Sequence, residues 1–149
     1  MNVRINNLSH TFTDDIGAVI FNPGNVGTIL FDGPGSSSET SVTWLLDDSA
    51  AAALANGGNN LTGSYKPGQN QWGDTFTGAP AGPYNTTFLA YNGTTGLGTW
   101  RLFVEDFVGG DSGSIGSVDL IINTNPVPEP ATMAVLGMGA LALLRKRRK

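Results

Sequence analysis

Few residues in this 149-residue chain are equipped for chemistry. They are one histidine, His10, and a serine set in a glycine-flanked turn, Gly110-Asp111-Ser112-Gly113, with several aspartates between them. A hydroxyl nucleophile, an imidazole base and an orienting carboxylate are the parts of a Ser-His-Asp triad, and the order His, Asp, Ser is one in which triads occur. Histidine is also the residue type that titrates near neutrality. Type and order are not geometry, however, and nothing around Ser9-His10-Thr11-Phe12 frames a catalytic base. The plainer reading packs His10 at a strand end with a ring nitrogen on a backbone carbonyl. It makes the Gly-Asp-Ser-Gly stretch a hairpin, in which Gly supplies positive φ and Asp caps its own turn. On that reading the chain has no catalytic residue and is not an enzyme.

The carboxylates offer a second chemistry. Asp14-Asp15, Asp47-Asp48, and Asp106 with Asp111 all fall at the ends of apolar runs. Calcium takes six to eight oxygens, commonly two or three of them from carboxylates, and loops at one end of a sandwich can supply such a set. Asp15, Asp106 and Asp111 are the candidates for a structural calcium, although no EF-hand spacing is present and turn capping explains the same residues. Cysteine is absent, which removes disulfides, thiolate catalysis and Cys-ligated zinc. Of the three tryptophans, Trp44 and Trp100 lie in apolar runs and read as core. Trp72, in the polar loop QNQWGDTF, is the one placed to stack on a sugar.

These residues must be positioned by strands. Charged residues make up only 13% of the chain, against about 25% in an average soluble domain, and glycine is abundant at 21 residues. Such a composition favours strands joined by many turns over helices. Candidate strands are 3–8, 18–21, 28–31, 42–46, 88–91, 99–107 and 117–122, and residues 49–54 are the one plausible helical turn. Between them lie turn formers such as Asn22-Pro23-Gly24, Gly33-Pro34-Gly35 and Asn92-Gly93. In the two longest strands, Trp100, Leu102, Val104, Leu120 and Ile122 share the face expected to be buried. Seven or eight short strands in one domain predict an all-β, antiparallel jelly-roll sandwich over residues 1–122.

Charge divides the chain. Residues 1–127 hold only Arg4, Lys66 and Arg101 against eleven acidic residues, while Arg145, Lys146, Arg147, Arg148 and Lys149 end it. An acidic body makes nucleic acid an unsuitable partner. Prolines at 126, 128 and 130 make 123–130 an extended linker. Residues 131–144 are uncharged, and as a helix they would measure about 21 Å against a hydrocarbon core of about 30 Å. Basic side chains that snorkel to the interface extend so short a segment and hold its end in the cytoplasm. The tail therefore reads as a minimal transmembrane helix at 131–144 with a basic cytoplasmic end at 145–149.

Two stretches resemble known families. His10-Thr11-Phe12, Asp15, residues 18–21, Pro23-Gly24 and residues 28–31 are similar to the opening of the P/Homo B domain, the P-domain of proprotein convertases. Trp44-Leu45-Leu46-Asp47-Asp48-Ser49-Ala50 and Gly63-Ser64-Tyr65-Lys66-Pro67 resemble its middle. Gly98-Thr99-Trp100-Arg101-Leu102-Phe103-Val104, Asp106, Gly110-Asp111-Ser112-Gly113 and Ser117-Val118-Asp119-Leu120 resemble its close, although the Trp usual near Val118 is absent. In that pattern the Gly-Asp-x-Gly stretch is a hairpin between the last two long strands. The pattern also begins about one strand earlier, and Met1-Asn2 opens without the basic and apolar regions of a secretory signal, so a strand and a leader are expected upstream. The second resemblance is to the PEP-CTERM sorting signal: Val127-Pro128-Glu129-Pro130, then the apolar segment, then the basic end. It implies processing by exosortase, a membrane enzyme that cuts near Pro-Glu-Pro.

Together these readings predict a membrane-anchored precursor delivered to the bacterial cell surface as a non-catalytic β-sandwich module. Its partners are an exosortase-type enzyme and the membrane, and a surface polysaccharide or a peptidase domain is a further candidate. One alternative is the C-terminal P-domain fragment of a subtilisin-like serine endopeptidase, since the P/Homo B domain accompanies such enzymes. The other is a carbohydrate-binding jelly roll using Trp72.

Overall fold

The computed structural model describes residues 1–73 and 75–124. Its organising strand is β1 (Asn2–His10), in which Val3 and Ile5 face inward and then, one position out of step, so do Leu8 and His10. The change of parity is a bulge. Pairing with β4 (Glu39–Leu46) slips between Ile5 and Leu8, and Asn7 there takes φ 51°, a left-handed conformation that asparagine tolerates. β1 is central to the larger sheet. β4 and then β5 (Gly63–Tyr65) lie on one side; on the other, β8 (Ser117–Ile121) runs along Asn2–Asn6 and β7 (Gly113–Ser114) along Ser9 and His10.

The smaller sheet has the order β3 (Gly27–Asp32), β2 (Ile16–Phe21), β6 (Arg101–Asp106). Every residue of β2 and β3 is buried, because both faces of this sheet are covered. Ile16, Ala18 and Ile20 face the larger sheet and join Val3, Ile5, Leu8, Leu30, Phe31, Trp44 and Leu46 in the main core. Val19, Phe21 and Ile29 look the other way, under Phe76 and Tyr84 of the long segment after β5. There Phe21 meets Tyr84 and Phe103 edge to face at 5.8 and 5.7 Å. The architecture is thus all-β, with two sheets packed over a shared core.

Several expectations are corrected. β4 and β5 pair in parallel, so the sandwich is not wholly antiparallel, and among the described residues the strands divide five to three. Residues 88–91, expected as a strand, form a 3₁₀ turn, Phe88–Tyr91, whose first and last residues are buried three positions apart. Residues 49–54 are not helical; Ala53 instead bridges Lys66. Among the residues expected inside, Trp100, Leu102 and Leu120 are half-buried against the main core, whereas Val104 is 44% and Ile122 36% exposed. The cause is their place in the sheets: β6 and β8 are edge strands, and among the described residues no strand lies beyond them. The Pro-Glu-Pro motif, the expected membrane helix at 131–144 and the basic end at 145–149 lie outside the described residues. Among the described residues no helix is long and apolar enough to cross a membrane.

Candidate functional site

The sequence candidates converge where β1 ends. His10 pairs with Glu39 of β4 on one side and Gly113 of β7 on the other, which buries its ring. Nδ1 lies 2.8 Å from the Phe12 carbonyl oxygen and 3.2 Å from the Phe12 nitrogen, and Nε2 lies 3.3 Å from Asp106 Oδ2. A neutral ring can donate from Nε2 to Asp106 while Nδ1 accepts from the Phe12 N–H; an imidazolium donates to both the carbonyl and the carboxylate. In either form both nitrogens are occupied. Ser112 lies in the adjoining loop, where its backbone N–H donates to Thr11 Oγ1 at 3.0 Å and its carbonyl accepts the Thr11 N–H. No hydrogen bond joins its hydroxyl to His10 among the described residues. The structure therefore brings the triad's residue types to one place without a triad's geometry.

The glycine-rich loop also departs from the hairpin expected of it. β6 belongs to the smaller sheet and β7 to the larger, so residues 107–112 cross between sheets rather than turning back along one. Gly110 does adopt φ 118°, as the turn requires. Asp111, however, accepts from Thr11 Oγ1 at 2.6 Å and so fastens the loop to the end of β1 instead of capping its own turn. Gly113 is needed for close approach, because a Cβ there would run into the His10 ring and the Ser9 carbonyl.

Asp15, Asp106 and Asp111, the calcium candidates, are near one another. Asp15 ends the 3₁₀ turn Thr13–Asp15 and is buried. Burial pushes its carboxyl above the usual carboxylate range, and Asp111, Asp106 and Asp14 push it further the same way. Asp106 is held by His10 and by the Val108 N–H at 3.3 Å, and Asp14 accepts from Gln71 at 3.1 Å. Among the described residues no set of three or more acidic, histidine or cysteine side chains is arranged to hold a metal ion. What the cluster does electrostatically is load one buried acid with like charge.

The second acidic pair serves the backbone. Asp47 accepts from the Ser49 N–H and hydroxyl, both at 2.8 Å, and from Asn2 at 3.1 Å, and these bonds hold its carboxyl below the usual range. Asp48 accepts from the Phe88 N–H at 3.0 Å, tying the 3₁₀ turn to the end of β4. Trp44 is fully buried, Trp100 is half-buried, and Trp72 stands 58% exposed with its indole against Gly33.

Above His10 the two sheets part. A groove of about 310 Å³ opens there, lined by Leu8 and His10 of β1, Ile16 of β2, Val104 and Asp106 of β6, and Ile115 after β7. Sequence reasoning missed this feature: alternation says which face of a strand is apolar, not whether anything covers it. It also missed two buried acids, Asp32, which accepts from the Gly73 N–H at 2.9 Å, and Glu39, which accepts from the Asn60 N–H.

Comparison with known proteins bears on the tail. Residues 126–149 match the PEP-CTERM protein-sorting motif, covering the Pro-Glu-Pro, the apolar segment and the basic end. No match to a family model supports the P/Homo B resemblance of the body. No curated protein and no solved structure matches the chain.

Proposed function

We propose that this chain is a non-catalytic β-sandwich module, held briefly in the membrane by its tail and then released to the bacterial cell surface or beyond it by an exosortase-type enzyme. The observation that carries this reading is the PEP-CTERM motif at residues 126–149 behind an acidic, all-β body. The chemistry of the tail supports it. Alternating prolines disfavour helix, which suits an enzyme that binds its substrate as a strand, and a glutamate such as Glu129 is costly to place in lipid. A 14-residue apolar stretch is a marginal anchor, and a marginal anchor suits a temporary one.

For the body we propose a supporting rather than a reactive role, of the P/Homo B kind. The ordered motifs from His10-Thr11-Phe12 to Ser117-Val118-Asp119-Leu120 support that assignment. The occupied nitrogens of His10 support the absence of catalysis. A second reading, sugar binding, has one observation in its favour, the exposure of Trp72; glycan binding lost in Trp72→Ala would establish it. The main reading is tested by exporting the epitope-tagged chain behind a secretory leader in otherwise identical hosts with and without exosortase. The tag should reach the surface or medium only where the enzyme is present. Equal distribution in the two hosts would overturn the sorting role.

A further inference from the structure

Among the described residues no strand pairs with the outer edge of β6, and that edge carries exposed apolar surface. Its hydrogen-bonding phase follows from the register. The Phe107 N–H donates to the Asp15 carbonyl at 2.8 Å, and β6 continues from there in register with β2, Asp106 opposite Ile16 through Arg101 opposite Phe21. Bonded and non-bonded pairs alternate along an antiparallel ladder. Arg101, Phe103 and Glu105 therefore bond to β2, while Leu102, Val104 and Asp106 turn their N–H and C=O groups to the open edge. On the inner face of this strand Val104 is 44% exposed, beside the groove. Arg-Leu-Phe-Val-Glu-Asp contains no proline and runs beside β2 without a bulge, so two of the devices that blunt an exposed edge are lacking.

We propose that a second copy of this chain pairs with β6, antiparallel, across a two-fold axis at Phe103. Residues directly opposite in such a pair must share a face, which restricts the axis to a residue position. An axis at Phe103 sets Leu102 against the partner copy's Val104, with both N–H···O bonds exchanged, and sets Arg101 against the partner copy's Glu105. Symmetry repeats each pairing. An axis at Val104 would set Leu102 against Asp106 and Phe103 against Glu105, and one at Leu102 would set Arg101 against Phe103; neither pairs opposite charges. The two charged groups are already oriented on the outer face. The Arg101 guanidinium lies over the Phe21 and Phe103 rings at 5.5 and 5.8 Å, and Glu105 accepts from the Thr77 N–H and hydroxyl at 2.6 and 2.7 Å. The product is a continuous six-stranded sheet in which Leu102 of each copy covers Val104 of the other.

The chain has no cysteine, so the register can be read by disulfide trapping in the full-length protein. Arg101→Cys and Glu105→Cys alone should each form no disulfide-linked dimer on mild oxidation and should link when mixed, since non-bonded pairs bring Cα atoms to about 4.5 Å, within disulfide reach. Failure of the mixture to link, or linkage of either variant alone as fast as the mixture, would overturn the proposal. An independent check uses charge. In light scattering of the full chain in non-ionic detergent, Arg101→Glu or Glu105→Arg alone should weaken association about tenfold, and the double exchange should restore it. A parent that is monomeric in this measurement, or association unmoved by either reversal, would refute it equally.

Discussion

Replacing Trp44 by alanine tests the packing account most severely. The side chain is fully buried, meets Phe31 edge to face at 5.4 Å, and donates its indole N–H to the Asn60 carbonyl at 3.0 Å. Truncating a buried aromatic costs about 3–5 kcal/mol in lost transfer energy and cavity, and leaving a buried acceptor without its donor adds about 1 kcal/mol or more. The expected loss is therefore about 4–6 kcal/mol, comparable to the whole stability of many domains of this size. Trp44→Phe keeps much of the ring but not the hydrogen bond and should cost about 1–3 kcal/mol. Trp100→Ala is the internal comparison. Trp100 packs edge to face on Tyr91 at 5.2 Å and donates to the Gly96 carbonyl, but it is only half-buried, so its loss should be clearly smaller, about 2 kcal/mol. Urea denaturation followed by far-ultraviolet circular dichroism measures all three without relying on tryptophan fluorescence. The reasoning fails if Trp44→Ala costs no more than Trp100→Ala.

Three other outcomes are expected. The Asp15 carboxyl has its pKa raised in the folded chain, so its contribution is most favourable below the ordinary carboxylate pKa and is lost as pH rises through the folded value. Asp15→Asn should accordingly be more stable than the parent at pH 7, with the gap closing below about pH 4, in thermal melts across that range. Gly113→Ala should cost about 1–3 kcal/mol in the same denaturation assay, because the added Cβ meets the His10 ring and the Ser9 carbonyl. The chain should hydrolyse neither peptide nor ester substrates, and Ser112→Ala should leave the background rate unchanged; turnover abolished by that substitution would restore a catalytic reading.

Much of the fold was legible because its longest strands alternate. Val3 and Ile5 announce the buried face of β1, and in the Ser117-Val118-Asp119-Leu120 run the alternation marks β8 as a strand, of which Leu120 is half-buried and Val118 exposed. Where the reading failed, the deciding information was not local. Phe88-Leu89-Ala90-Tyr91 is an apolar run too short for alternation to identify; its real signal is the three-residue spacing of two aromatics around an exposed Leu89. β5 is three residues long and exists because β4 lies beside it in parallel, a contact no local pattern encodes. Val104 carries the correct parity for burial and is exposed because β6 ends its sheet, and Ile122 is exposed just past the end of β8. At the candidate site the residue types were legible, and so was the contact of His10 with a backbone carbonyl. That Asp106 would take the other ring nitrogen depended on the pairing of β6 with β2, ninety residues apart in the chain.

The most direct test of the central claim is the mass of the mature C-terminal peptide. The chain should be exported behind a secretory leader in a bacterium that has an exosortase, then recovered from the surface or medium and digested. The expected result is a C-terminus near Pro128 to Pro130, with residues up to about 127 retained and no peptide from 133–144 joined to the body. Recovery of the folded body with Met133 and Leu144 still attached would show that the tail is a permanent anchor and would contradict the sorting account.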